Sequence, residues 1–364
     1  MRQRFFLADA RDVVRQQVGG DGFIGAYKNV HQYLGKSCDG FLLSHAVATA
    51  GARFSSQEMS TLLELGAPDY YGAPDLEFIG DSGAFSYINE ELPTVSAADL
   101  VEFYSRARMT YGISPDHIVR EYIPDDNAQL FTMESEESRR RVEITIDSAQ
   151  AFWDAARGAP FTPIGAAQGW GPISYADCVG SLQRVGYRYI AVGGLVRKSR
   201  HDIEAILGAV DQVRLVDTCL HLLGVCRPEI FRRPGVRSFD TTSPLRRAYL
   251  DKRHNYWIGD TSWTAIRPKD DGELELVRGW DGDASKLART LGDDPGQVRD
   301  YTRTLQDRPW ERCRCRCCND LGLEVCLLMG TERNRRRGFH NVRNFYLTSV
   351  TAGVTMDSWP SAGQ

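Results

Sequence analysis

The chain has 364 residues, 42% hydrophobic and 25% charged, the balance of a folded globular protein and not of a disordered or fibrous one. A formal net charge of −4 and a sequence pI near 6.0 exclude a uniformly basic coat for nucleic acid, so any polyanion has to meet a local patch. No apolar run approaches the roughly 18 residues of a membrane span, and the short apolar patch before Asp9 is too brief for a signal peptide; a cytoplasmic protein with no membrane partner is expected.

Short apolar or β-branched runs recur along the chain, each ending in small or polar residues. The predicted strands are FLLSHAV (41–47), LEFIGDSG (76–83), HIVREYI (117–123), FTPIGAAQG (161–169), YRYIAVGG (187–194), LHLLGV (220–225) and VRSFDTT (236–242). Between them, residues 97–112, 135–158 and 200–210 carry apolar side chains at three- and four-residue intervals and predict helices. Strand alternating with helix implies a parallel sheet covered by helices. A doubly wound sheet would want a Gly-rich phosphate turn after its first strand, and GxGxxG is absent. The unusual groups Asp81-Ser82-Gly83, Gln168-Gly169, Gly193-Gly194 and Asp240-Thr241 instead sit at the carboxyl ends of separate predicted strands, where closed barrels assemble their active sites. The expected fold is α/β, a (β/α)8 TIM-type barrel over residues 1–300 with a carboxyl-terminal zinc-binding subdomain over 301–350 and a loosely held tail over 351–364.

Nine cysteines is an odd number, and Cys313, Cys315, Cys317 and Cys318 fall within six residues. Spacing that tight, without a secretion signal, argues for a metal and against a disulfide framework. CxCxxC followed by His340, with 21 residues between Cys318 and His340, supplies four ligands for Zn²⁺. Four ligands close a tetrahedron and leave no position for water, so the expected site is structural, bound by Cys313, Cys315, Cys318 and His340. Cys317 in place of Cys318 remains the alternative. Just beyond, Arg333, Arg335, Arg336 and Arg337, with Arg312, Arg314 and Arg316 upstream, form the best candidate basic patch, the other reading being a solvated helix face.

Glycosyl transfer by double displacement needs one carboxylate to attack an anomeric carbon and a second group to carry the proton of the leaving or arriving base. Asp81 and Asp240 are the aspartates placed at strand ends among small residues, Gly83, Ala84, Thr241 and Thr242, that let a bulky substrate approach. One such aspartate alone reads equally as a helix cap. The constellation carries the case.

That constellation resembles the tRNA-guanine transglycosylase family. GDSGAF (80–85) is similar to its DSGGF/Y segment, GAAQG (165–169) to G-x-x-Q-G, AVGGL (191–195) to IGGLA, HLLGV (221–225) to YLMGV, and SFDTTSP (238–244) to MFDCVxPTR. CxCxxC with a distant His-Asn resembles the family's zinc site, and the matches follow the family's order over roughly residues 76–345. The resemblance implies Asp240 as nucleophile and Asp81 as general acid/base. It also implies a base pocket made by Ser82, Gln168, Gly193 and Gly194, with Phe85 and Leu223 sandwiching the heterocycle. Thr241 replaces the family's cysteine, Pro244-Leu245-Arg246 its PTR, and Ser86 its glutamine. The FDE aspartate that reads guanine's amino edge is absent, the corresponding stretch being 120–126, where Asp125 or Asp126 is the nearest substitute. A conserved catalytic pair beside altered polymer contacts resembles the family's DNA-acting branch. The implied activity is exchange of guanine in DNA for a 7-deazaguanine such as the 7-cyano form, with a homodimer or an accessory DNA-opening protein as further partners. A tRNA substrate is the alternative.

Two other classes compete. Ser82 within GDSG could belong to a serine hydrolase, but GDSGG with an upstream histidine motif is absent, and of an esterase pattern only a DxxH at residues 251–254 is present, with GDSG standing far from the amino terminus. A non-catalytic nucleic-acid-binding paralogue has no use for two strand-end carboxylates. His45, His221 and His254 read as hydrogen-bonded core or loop residues.

Overall fold

A computed structural model describes residues 2–8, 29–49, 54–119, 134–250, 253–267, 271–292, 294–328 and 331–351. The chain forms two compact units, one from residues 1–10 and 39–241, the other from 11–38 and 242–364. The division falls at Thr241, where the last barrel strand ends, and not near residue 300.

The first unit is a closed barrel of eight parallel strands in sequence order: β1 Arg4–Ala8, β2 Gly40–Ser44, β3 Glu77–Asp81, β4 Tyr111–Ile113, β5 Thr162–Ala167, β6 Tyr189–Val192, β7 Cys219–Leu222 and β8 Val236–Thr241. β1 pairs with both β2 and β8, which closes the cylinder. Helices Ala97–Arg106, Glu136–Ala155, Pro172–Val185 and Arg200–Val213 lie between strands. Those at Ala97, Glu136 and Arg200 start on serines whose side chains accept from the backbone N–H three residues on, satisfying a donor that the first turn leaves open.

Six of the seven predicted strands coincide with barrel strands, and two differences matter. The fourth strand is Tyr111–Ile113, inside the predicted helix 97–112, which ends at Arg106. His117, Ile118 and Val119, the described part of the predicted 117–123 strand, are buried but not in a strand. In addition, Arg4–Ala8 is a strand that the pattern did not announce.

Side chains alternate across a strand, so every second residue points into the barrel. Phe6, Ala8, Leu42, Ile79, Tyr111, Ile113, Ile164, Ala166, Tyr189 and Ala191 make the buried interior cluster. Arg4 closes it at the amino end of the strands, its Nη1 donating to both oxygens of Glu77 at 2.6 Å and to the Tyr111 hydroxyl at 2.9 Å. On the outer face the Tyr104 ring lies flat on β3 and β4, against Gly80 and Gly112, where a Cβ would overlap the ring. Continuing the inward register by two-residue steps brings Asp81, Gln168, Gly193, Leu223 and Asp240 to the carboxyl ends of their strands.

The second unit holds an antiparallel hairpin, Tyr256–Ile258 with Thr261–Trp263, and the helix Thr331–Phe345. One face of that helix, at spacings of three, four and seven, is Arg337, His340, Asn341 and Asn344, polar yet buried. Such burial is tolerable because each group is hydrogen-bonded. Asn341 Nδ2 donates to the carbonyls of Asn255 at 2.7 Å and Pro244 at 3.2 Å, and its Oδ1 accepts from Trp257 N at 3.1 Å. Asn344 Oδ1 accepts from Gly259 N at 2.9 Å. Asn341→Ala would leave one N–H and two carbonyls buried without this partner. It is expected to cost about 2–3 kcal/mol, read as a lower denaturant midpoint at unchanged m value; a loss below about 0.5 kcal/mol would contradict the assignment. No helix among the described residues is long and apolar enough to cross a membrane.

Candidate active site and metal centre

Asp240, on β8, is buried. Its Oδ1 accepts from the backbone N–H of Gly224 at 3.0 Å and faces His221 Nε2 at 3.3 Å. Both donors converge on one oxygen, and among the described residues no hydrogen bond reaches Oδ2. Asp81, at the end of β3, accepts from Gly83 N at 2.9 Å through Oδ2. Gly83 sits in the left-handed region, φ 84°, and turns the chain sharply into the 3-10 turn Ala84–Tyr87. Phe85, on that turn, is 65% exposed, so its ring face is open to a partner. Leu223, after β7, packs on the barrel core.

Behind these residues lies a buried polar network. Gln168 Nε2 donates to Asp116 Oδ2 at 2.6 Å, the Ser82 hydroxyl donates to Asp116 Oδ1 at 3.3 Å, and the Tyr87 hydroxyl donates to Ser82 Oγ at 2.8 Å. Burial pushes the Asp116 carboxyl up from 3.8 to about 6, while the hydrogen bonds from Gln168 and Ser82 pull it back. Gln168 Oε1 is buried with no hydrogen-bond partner among the described residues, an acceptor awaiting a donor. Gly193 gives its N–H to Ala167 O at 3.0 Å and accepts the Tyr175 hydroxyl at 2.9 Å, and a Cβ on it would collide with the Gln168 amide. Gly194 has φ 68° and lies against the same amide.

The structure therefore brings Asp81, Gln168, Gly193, Leu223 and Asp240 to one end of the barrel. Ser82 is wholly buried and its hydroxyl pairs with Asp116 and Tyr87, not with a histidine, which leaves no hydrolase dyad. Asp116, absent from the sequence reading, stands three residues beyond β4 and is linked to Gln168. The 120–126 stretch, with Asp125 and Asp126, lies outside the described residues, as do 352–364 of the expected tail. His221 was expected to be a hydrogen-bonded core residue and is one; its link to Asp240 was not foreseen.

In the second unit, Cys313, Cys315, Cys318 and His340 are buried and bring one ligand atom each within 4.8 Å of one another, a group that could hold a metal ion. A tetrahedron with zinc–sulfur bonds of about 2.3 Å and zinc–nitrogen bonds of about 2.0–2.1 Å separates its ligand atoms by about 3.5–3.8 Å. His340 Nδ1 lies 3.4 Å from each of the three sulfurs, and Cys315 and Cys318 Sγ are 3.5 Å apart. His340 Nε2 donates to Trp257 O at 2.6 Å, which leaves the Nδ1 lone pair aimed at the sulfurs. The Tyr256 ring stacks on His340 at 4.3 Å, and its hydroxyl lies 3.0 Å from Cys318 Sγ. Cys317 is buried but outside the group.

The arginine run is not the free basic patch that charge alone allowed. Arg337 is wholly buried and donates to the carbonyls of Ala248, Val325 and Leu327. Arg336 pairs with Glu332 at 3.0 Å and lies over the Tyr33 ring, and Arg333 pairs with Glu324 at 3.2 Å. These three arginines are engaged within the unit itself.

A closed parallel barrel with carboxylates and an amide gathered at the carboxyl ends of its strands defines a barrel enzyme. No family model matches the chain. A curated relative from Salmonella montevideo, named DNA-guanine transglycosylase, is 33% identical over an alignment that covers 87% of this chain and 87% of the relative. The chain belongs to the DNA-guanine transglycosylase family, and it is an enzyme of the pentosyltransferase kind.

Proposed function

We propose that the protein exchanges guanine in DNA for a 7-deazaguanine derivative, such as the 7-cyano form, through a covalent bond between Asp240 and the sugar. The observation that carries this reading is the inward placement of Asp81 and Asp240 beside the Gln168–Asp116 network at one end of the barrel. Asp240 Oδ2, free of hydrogen bonds among the described residues, attacks C1′ while the C1′–N9 bond breaks and guanine leaves with a proton from Asp81. Asp81 then takes the N9 proton of the incoming base, N9 attacks C1′, and the Asp240 carboxylate leaves with its electron pair, giving overall retention. Ionised Asp116 and the orphaned Gln168 Oε1 accept N–H donors of the base, and Phe85 and Leu223 cover its faces. A base inside a duplex must first be flipped out, at a cost of a few kcal/mol. Three thiolates and one imidazole would complete the coordination of a zinc ion and leave no position for water, so the metal they would hold is structural.

The DNA preference follows the relative's name and the altered segment after the nucleophile. Labelled guanine offered on DNA and on tRNA, with free 7-deazaguanine as competitor and at matched salt, tests it. Label entering DNA and displaced by the deazapurine is expected; label in tRNA with none in DNA would overturn it.

Asp116 adds a pH signature. Its raised pKa means that the folded state holds this proton more tightly than the unfolded chain. Stability from this group is therefore complete below about pH 4 and falls as pH rises through about 6. Base binding runs the other way, because the carboxylate accepts where the acid does not. The KM for free base should fall as pH rises through about 6, and Asp116→Asn should raise it by about 10- to 100-fold and remove that dependence. A variant with wild-type KM and an unchanged profile would count against the role.

A further inference from the structure

His221 occupies the interior of the barrel, wholly buried, one strand away from Asp240. The register sets it opposite Ser238 on β8, two residues before Asp240 and on the same inward face. Its Nδ1 lies 2.5 Å from Ser238 Oγ, and Ser238 Oγ is hydrogen-bonded in turn to the Tyr189 hydroxyl on β6. Its Nε2 lies 3.3 Å from Asp240 Oδ1. Phe6 meets the ring edge-on at 6.1 Å, which limits its rotation.

The direction of these bonds follows from the donors available. An ionised carboxylate only accepts, so Nε2 must carry a proton. In the neutral ring Nδ1 then accepts from Ser238, which accepts from Tyr189, a chain that begins at a phenol and ends at Oδ1 of the carboxylate. Gly224 N–H adds a second donor to that same oxygen.

We propose that His221, held by Ser238 and Tyr189, is a positioning residue. It fixes the Asp240 carboxylate so that Oδ2 faces C1′, and it stabilises the carboxylate when the incoming base displaces it. The inference rests on Asp240 being the nucleophile. In the return step N9 bonds to C1′, and the electron pair of the C1′–Oδ2 bond returns to Asp240. Two N–H donors on Oδ1 bind the resulting anion more strongly than the ester it came from. Loss of one donor therefore slows resolution of the covalent state more than its formation.

The test is exchange kinetics on DNA, with the denaturation-resistant enzyme–DNA adduct quantified at steady state, for Asp240→Asn, His221→Ala, His221→Gln and Ser238→Ala. For His221→Ala, kcat should fall by about tenfold or more at near-unchanged base KM, and the adduct fraction should rise. Glutamine restores an N–H at the Nε2 position, so His221→Gln should recover most of the kcat. Ser238→Ala, a small change that spares the ring, should shift both quantities in the same direction by about threefold, which keeps the question open to decision if His221→Ala does not fold. In protein labelled with ¹⁵N, the ring signal lost in His221→Gln should be that of an imidazole protonated at Nε2. Asp240→Asn inactive with kcat and adduct unchanged in folded His221→Ala and Ser238→Ala would overturn this inference alone, as would a His221→Gln no better than alanine. An active Asp240→Asn would instead overturn the nucleophile.

Discussion

Asp240→Asn should fold normally and lose exchange by about 10⁴-fold or more, equivalent to about 5.5 kcal/mol of transition-state stabilisation. Normal folding is expected from the hydrogen bonds. Gly224 N and His221 Nε2 both point at Oδ1, so the amide oxygen takes that position and keeps both bonds. The amide nitrogen is thereby placed where Oδ2 was, and an amide nitrogen facing C1′ neither attacks nor accepts the developing positive charge of the sugar. No covalent adduct should form. Asp81→Asn should differ in kind: bond breaking is slowed for want of a proton donor, and transfer to the incoming base is blocked for want of a base. Exchange in Asp240→Asn within about tenfold of wild type, at equal purity and melting temperature, would remove double displacement at this residue.

The second large effect concerns the metal. Purified protein should carry about one zinc per chain, and Cys318→Ser should lose it, because the ligand set has no spare member. Zinc binding to such sites is worth about 10–16 kcal/mol at neutral pH, as much as the whole stability of an ordinary domain, about 5–15 kcal/mol. Chelation should therefore unfold the second unit, where His340 also anchors Trp257 O and the Tyr256 ring. The ligands bind deprotonated, so protons compete with the metal and occupancy should fall as pH falls. Cys317→Ser is the internal control: outside the ligand group, it should keep its zinc. Elemental analysis with circular dichroism on both variants decides the matter, and zinc retained in Cys318→Ser but lost in Cys317→Ser would reverse the ligand assignment.

What could be read beforehand depended on how local each signal was. Three of the four candidate metal ligands lie within six residues, and CxCxxC spacing survives any fold. Asp81, Gln168, Gly193 and Asp240 were legible because strand ends are marked by a change from apolar to small residues. Asp116 was missed because its strand was misplaced. Tyr111–Ile113 is three residues long with glycine at its centre, where the Tyr104 ring needs room, and so shows no run. The stronger apolar run that follows, His117 to Val119, is buried but irregular, with His117 bonded to Glu90 O and to Arg141. β1, Arg4–Ala8, falls in the short apolar patch before Asp9, which was weighed only against a signal peptide.

The arginines fail as a sequence signal for a different reason. Charge does not distinguish a guanidinium in water from one that satisfies three buried carbonyls, as Arg337 does. The warning sign was there in the spacing of Arg337, His340, Asn341 and Asn344, which puts that arginine on the same face as a candidate metal ligand. His221 and Asp240 are 19 residues apart and meet only through the β7–β8 register, across a shift between Leu220 and His221 that no local pattern encodes.

The most direct measurement is the location of the covalent bond. After incubation with DNA and rapid denaturation, digestion with trypsin should release residues 238–246, SFDTTSPLR, in which Asp240 is the one carboxylate side chain. Mass spectrometry should find the DNA remnant on this peptide, and on no peptide from Asp240→Asn. A remnant on the peptide carrying Asp81, or exchange proceeding with no adduct on any carboxylate, would contradict the account.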